Sequence, residues 1–138
     1  MIDFWSYTDE YKELKTKYLK KIDLSIKSGK IFFGPELKRF EKNFIKINNF
    51  KYGAAVGSGT DAIYISLLAL NIGRGDEVIT VSNTAIPTVS AITSSGAKIK
   101  YVDIRNDYLM NTDQIVKKIT KKTKAIIPVH LYGQACDM

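Results

Sequence analysis

The sequence predicts an α/β protein of three layers, a mostly parallel sheet with helices on both faces. Three observations predict it. Short runs rich in β-branched residues at 77–81, 98–102 and 125–129 alternate with segments of helical period at 60–71, 87–95 and 111–119. That alternation is what parallel strands joined by helical crossovers require. A glycine turn, Gly57-Ser58-Gly59-Thr60, follows an apolar run starting near Tyr52 and opens a helix. Unpaired N–H groups and the positive end of a helix dipole then face the turn. Finally, Ser82-Asn83-Thr84 leave the 77–81 run with hydroxyl and amide groups at the strand end where open parallel sheets bind ligands.

Composition narrows the setting. The 138 residues are 45% hydrophobic, enough for a sizeable core in one ordinary domain or part of one. We divide the chain into an N-terminal helical segment, 1–50, and an incomplete sheet domain, 51–138. The net charge of +7 comes from 21 basic against 14 acidic side chains, mostly lysines spread along the helices rather than clustered with aromatics. This is the pattern of solvated helix faces, and it argues against a nucleic-acid partner. No apolar run reaches the roughly 18 residues of a membrane span, and no basic and apolar leader opens the chain. With a single cysteine, Cys136, the chain makes no internal disulfide and no thiolate metal cluster, so a cytoplasmic location is expected.

In chain order, Tyr7, Tyr11, Leu14, Tyr18, Ile22 and Ile26 recur at steps of four and three, a helical stripe opposed by Lys12, Lys15, Lys20 and Lys27 and ended near Gly29. A second helix starts at Gly34-Pro35, runs through Leu37, Phe40, Phe44 and Ile47, and stops at Asn48-Asn49. Between the two, Phe32 and Phe33 fit neither stripe and face core, ligand or a partner subunit. The apolar run before Gly57 reads as a strand, and Ile63, Leu67 and Leu70 turn the next helix toward a sheet. Pro87 opens a short helix that Gly96 stops. Asn111 and Gln114 resemble a capping box for a helix reaching Ile119, and the run to Val129 is a buried strand despite Pro128.

The chemistry gathers at the strand ends. Gly57-Ser58-Gly59-Thr60-Asp61-Ala62 fits the dinucleotide fingerprint G-x-G-x-x-A, but Asp76 and Glu77, at the right separation for a ribose contact, stand before the second strand and so at its wrong end. No Gly-Lys-Ser/Thr follows, which removes a P-loop. Two readings remain: a phosphate cup formed by Gly59, Thr60 and Asp61 with Thr84 on the neighbouring loop, or a glycine turn that only lets helix and strand pack. Asp103 and His130 follow the next two strands, and a lone histidine there is more often structural than catalytic.

On these segments the chain resembles the N-terminal part of the DegT/DnrJ/EryC1/StrS family of sugar aminotransferases. The match rests on Gly34-Pro35-Glu36, VGSGTDAI at 56–63, IGRGDEVITV at 72–81, NTAIPT at 83–88, SGAKIKYVDI at 95–104 and TKAIIPVHLYGQACDM at 123–138. The resemblance implies part of the large domain of an aspartate-aminotransferase-like, fold type I enzyme that uses pyridoxal phosphate, usually as a homodimer. It further implies that Gly59, Thr60 and Asp61 contact the cofactor phosphate and that Thr84 lies by the pyridine ring. The substrates implied are a nucleotide-linked keto sugar and, as donor, glutamate, with products for surface polysaccharides or glycosylated metabolites. Ala85 stands where many members carry a ring-stacking aromatic. The family's Schiff-base lysine falls beyond Met138, so this chain is expected to hold no catalytic residue and to be inactive alone. A non-catalytic or regulatory relative and a Rossmann-type module are the rival readings.

Overall fold

The computed structural model describes residues 6–138, which form two compact units, one ending at Ala55 and the other starting at Val56. The first consists of two helices joined by the connector 28–34. Helix α1 (Tyr7–Lys27) starts on Ser6, whose hydroxyl accepts from Thr8 N, and α2 (Pro35–Ile47) places Pro35 in its first turn, where a missing N–H leaves nothing unpaired. Neither helix has a buried residue. The predicted stripe is present as a period and is not a core: Tyr7, Tyr11, Tyr18, Ile22 and Ile26 are all exposed. Phe32 and Phe33 are 85% and 86% exposed, which removes the core option for them.

The second unit opens with helix α3 (Gly59–Ala69), followed by β1 (Glu77–Val81), α4 (Ile86–Ser95) and β2 (Lys98–Val102). A 3₁₀ turn (Thr112–Gln114), the one-turn α5 (Ile115–Lys118) and β3 (Thr123–Ile126) complete it. The sheet order is β2-β1-β3 and both pairings are parallel, with Glu77 opposite Lys98 on one side and Thr123 on the other. Strand β1 is central and wholly buried. Alternate residues feed two cores, as strand geometry demands. Val78, with Ile99 and Ala125, packs under Leu67 of α3 and Ile92 of α4. Ile79, Val81 and Val102 pack on the other face against Leu109, Met110, Ile115 and Cys136. The α/β reading therefore holds, a parallel sheet with helical layers on both faces.

Several elements differ from expectation, each for a local reason. Residues 52–56 form no strand; Ala55 N donates instead to the Glu41 carboxylate of α2 at 2.9 Å. Leu70 is 67% exposed because α3 ends at Ala69 and the chain turns away from the sheet there. The capping box does not close: Asn111 accepts from Asp113 N, while the Gln114 side chain accepts from Asp103 N at 3.0 Å, and the helix shortens to one turn. Strand β3 starts at Thr123, ahead of the predicted 125, and ends before Ile127, although Ile127 N still donates to Ile79 O at 2.8 Å. Pro128 thus stands outside the ladder, where its missing N–H matters least.

Candidate functional site: a capped helix N-terminus at the sheet's carboxyl edge

Seven residues, 70–76, return the chain from the end of α3 to the start of β1, so α3 runs back along the strand and its first turn lies at the strand's carboxyl edge. The four residues 82–85 join β1 to α4, which also runs back, so its first turn lies at that same edge. Turns at 57–61 and 82–85, twenty residues apart in the chain, are brought to one edge by topology, as open parallel sheets do for ligands.

The first turn of α3 is built on Ser58. Its hydroxyl accepts from Asp61 N at 3.1 Å and donates to Asp61 Oδ2 at 2.9 Å, while its carbonyl accepts from Ala62 N at 3.0 Å. Ser-x-x-Asp is a capping signature that the sequence displays, and Ser58 is the residue a reading centred on glycines overlooks. Of the three amides Gly59, Thr60 and Asp61, that of Asp61 is held by the cap. Those of Gly59 and Thr60 have no carbonyl four residues back to bond to and are the donors left for a ligand. A Cβ built on Gly59 meets nothing within 4 Å, so the space beside this residue is open. At Gly57, by contrast, a Cβ would stand 3.0 Å from Asp61 Oδ2, so this glycine makes room for the capping carboxylate. Two open amides, a hydroxyl from Thr60 and a helix dipole suit a phosphate group, and nothing in the turn blocks one.

On the neighbouring loop, Thr84 is half-buried and its hydroxyl pairs with that of Thr88 at 2.9 Å. Thr88 is buried on α4, and this pair satisfies its hydroxyl while fixing the Thr84 rotamer. Ala85 is the N-cap of α4 and gives it no side-chain hydrogen bond. His130, past the end of β3, accepts from Cys136 N through Nδ1 at 3.0 Å, and the buried Cys136 thiol donates to Val129 O at 3.2 Å. These bonds close the 130–136 loop. Among the described residues no group of acidic, histidine and cysteine side chains could hold a metal ion. No helix among them is long and apolar enough to cross a membrane. Lys98, Lys122 and Lys124 begin or flank β2 and β3 beside Glu77, at the edge opposite the α3 turn.

Comparison with known proteins fits this geometry. A dTDP-3-amino-3,4,6-trideoxy-alpha-D-glucose transaminase of Micromonospora megalomicea subsp. nigra is 42% identical over 135 residues, 97% of this chain and 36% of that protein. The solved structure of S. venezuelae DesV in complex with a ketimine intermediate matches with a TM-score of 0.92 at 34% identity, over 99% of this chain and 37% of the other. That of NtdA from Bacillus subtilis with bound cofactor PMP matches with a TM-score of 0.85 at 40% identity, over 94% and 29%. The chain spans about a third of the length of these relatives. The family described as DegT/DnrJ/EryC1/StrS aminotransferase matches residues 12–138, all of the sheet unit and most of the helical unit before it. The chain belongs to the DegT/DnrJ/EryC1/StrS aminotransferase family.

Proposed function

We propose that this chain is the N-terminal third of a pyridoxal-phosphate aminotransferase that aminates a nucleotide-linked keto sugar, with glutamate as donor. One observation carries the reading: the Ser58-capped turn with two open amides and free space over Gly59. Gly59 and Thr60 hold the cofactor phosphate through their N–H groups and the Thr60 hydroxyl. Asp61 anchors the cap, and Thr84, braced by Thr88, stands on the loop beside the ring. When bound, pyridoxal phosphate supplies the electron sink for amine transfer, which no side chain provides. The family names of the relatives and the PMP found in NtdA support the cofactor and the sugar substrate. A cytoplasmic homodimer completes the reading, supported by the exposed apolar faces of α1 and α2.

The amine-bearing lysine lies outside residues 1–138 in this reading, because the lysines around β2 and β3 stand at the wrong edge of the sheet. Two measurements test it. Equilibrium dialysis of the full-length protein should show tight binding of pyridoxal phosphate and weak binding of unphosphorylated pyridoxal, with Thr60→Ala narrowing the gap. The 138-residue chain alone should transfer no amino group from glutamate. Equal binding of the two pyridoxals, or turnover by the short chain, would overturn the assignment.

A further inference from the structure

We propose that Glu41 of α2 is a positioning residue for the phosphate turn, its carboxylate fixing the main chain that leads into 57–61. That the turn's ligand is pyridoxal phosphate rests on the aminotransferase reading; the anchoring rests on contacts within the first unit and on chain continuity. Asn49, at φ +53°, turns the chain at the end of α2, and Phe50 N donates to Ile45 O at 2.9 Å. Residues 50–55 then run back along the helix they have just left. Phe50 lies against Phe44, with ring centroids 6.3 Å apart, and a Cβ on Gly53 would stand only 3.0 Å from Ile45 Cγ1. Glycine at 53 is what allows so close an approach to α2. One helical turn before Ile45, Glu41 Oε1 accepts from Ala55 N at 2.9 Å.

Among the described residues this is the one hydrogen bond that the main chain of 51–57 makes, and that stretch belongs to no helix or strand. Glu41 is half-buried and joins none of the ion pairs among the described residues, so its carboxylate serves the backbone. A charged acceptor holds an N–H more tightly than a neutral one does. Only Val56 and Gly57 separate Ala55 from Ser58, the cap on which the first turn of α3 is built. So short a tether leaves little slack, and holding Ala55 holds the entry to the open amides of Gly59 and Thr60. Phosphate recognition by backbone amides depends on where those N–H groups point. A chain released at Ala55 therefore loses phosphate binding before it loses its fold.

Equilibrium dialysis of the full-length protein with pyridoxal phosphate and with unphosphorylated pyridoxal tests the anchor, alongside amide spectra of the cofactor-free protein carrying isotope-labelled glycine. Glu41→Asp keeps the charge but draws the carboxylate back by one methylene, and should weaken pyridoxal phosphate by about tenfold while leaving pyridoxal unmoved. Glu41→Gln keeps an acceptor at the same reach and should retain most of the affinity. In the spectra, the Gly57 and Gly59 amide signals should move in Glu41→Asp and stay near their wild-type positions in Glu41→Gln. A Glu41→Asp variant that lowers the urea midpoint but keeps the ratio of the two affinities makes Glu41 structural only and overturns the proposal. Equal loss of both ligands, or glycine signals unmoved in Glu41→Asp, overturns it too. Glycine signals that follow the expected pattern in a protein that binds neither pyridoxal sustain the anchor and sink the aminotransferase reading instead.

Discussion

At Ser58 one hydroxyl makes two hydrogen bonds to Asp61 and sets the first turn of α3. Ser58→Ala removes a helix cap and should lower stability by about 1 kcal/mol, read as a shift in the urea midpoint. Gly59 lies one residue on and behaves oppositely. Its Cβ position is open, so Gly59→Ala should leave the urea midpoint nearly unchanged. The added methyl nevertheless takes up open space at the turn, so pyridoxal phosphate affinity should fall, as dialysis will show. A substitution neutral for folding and costly for binding separates a ligand turn from a packing turn, the two readings that the glycines alone leave open.

Among the elements, β1 is the one on which the sheet depends, and Glu77 ties its entering end to the turn before β3. Glu77 Oε2 accepts from Thr120 Oγ1 at 2.6 Å, its N–H donates to Lys122 O at 2.8 Å, and Lys100 Nζ is 3.7 Å from Oε1. The Thr120 hydrogen bond, then the charges of Lys100, Lys98 and Lys122, hold its carboxyl below the ordinary value of 4.5. Since the folded pKa is the lower one, this stabilisation is complete above 4.5 and is lost as pH falls through the folded value. Glu77→Gln should therefore flatten the acid limb of a stability profile, measured as urea midpoints against pH. On the far side of the sheet, Ile92 of α4 is fully buried, and Ile92→Ala should cost about 2–5 kcal/mol in the same assay.

At the scale of the whole molecule, the two units differ in how much they bury. The sheet unit has two cores around β1, whereas α1 and α2 contain no buried residue. Amide hydrogen exchange on the isolated chain should find β1 the most protected element and α1 exchanging near the rate of a frayed helix. In the full-length homodimer that we propose, α1 should gain protection as its apolar face is covered. Exchange in α1 that is equally slow in the isolated chain would show that α1 is stable without a cover.

Period and punctuation were legible in the sequence because they are local. Proline in the first turn of α2, Gly96 at φ +86° ending α4, and the β-branched runs of β1 and β2 follow from steric preferences that each residue carries with it. The glycine turn and the family motifs likewise pointed to a phosphate. What the sequence could not supply is how distant groups compete for partners. Glu41 captures Ala55 N and takes 52–56 out of a strand; Gln114 turns to Asp103 and shortens a helix; Thr88 braces Thr84 from the next element. Nor does period tell a stripe that meets a core from one that does not, so α1 and α3 share a helical pattern while only α3 buries a side chain. Local sterics determine the elements of this protein, and only the tertiary structure decides which hydrogen-bond partners are taken, which amides stay open, and therefore where a ligand can bind.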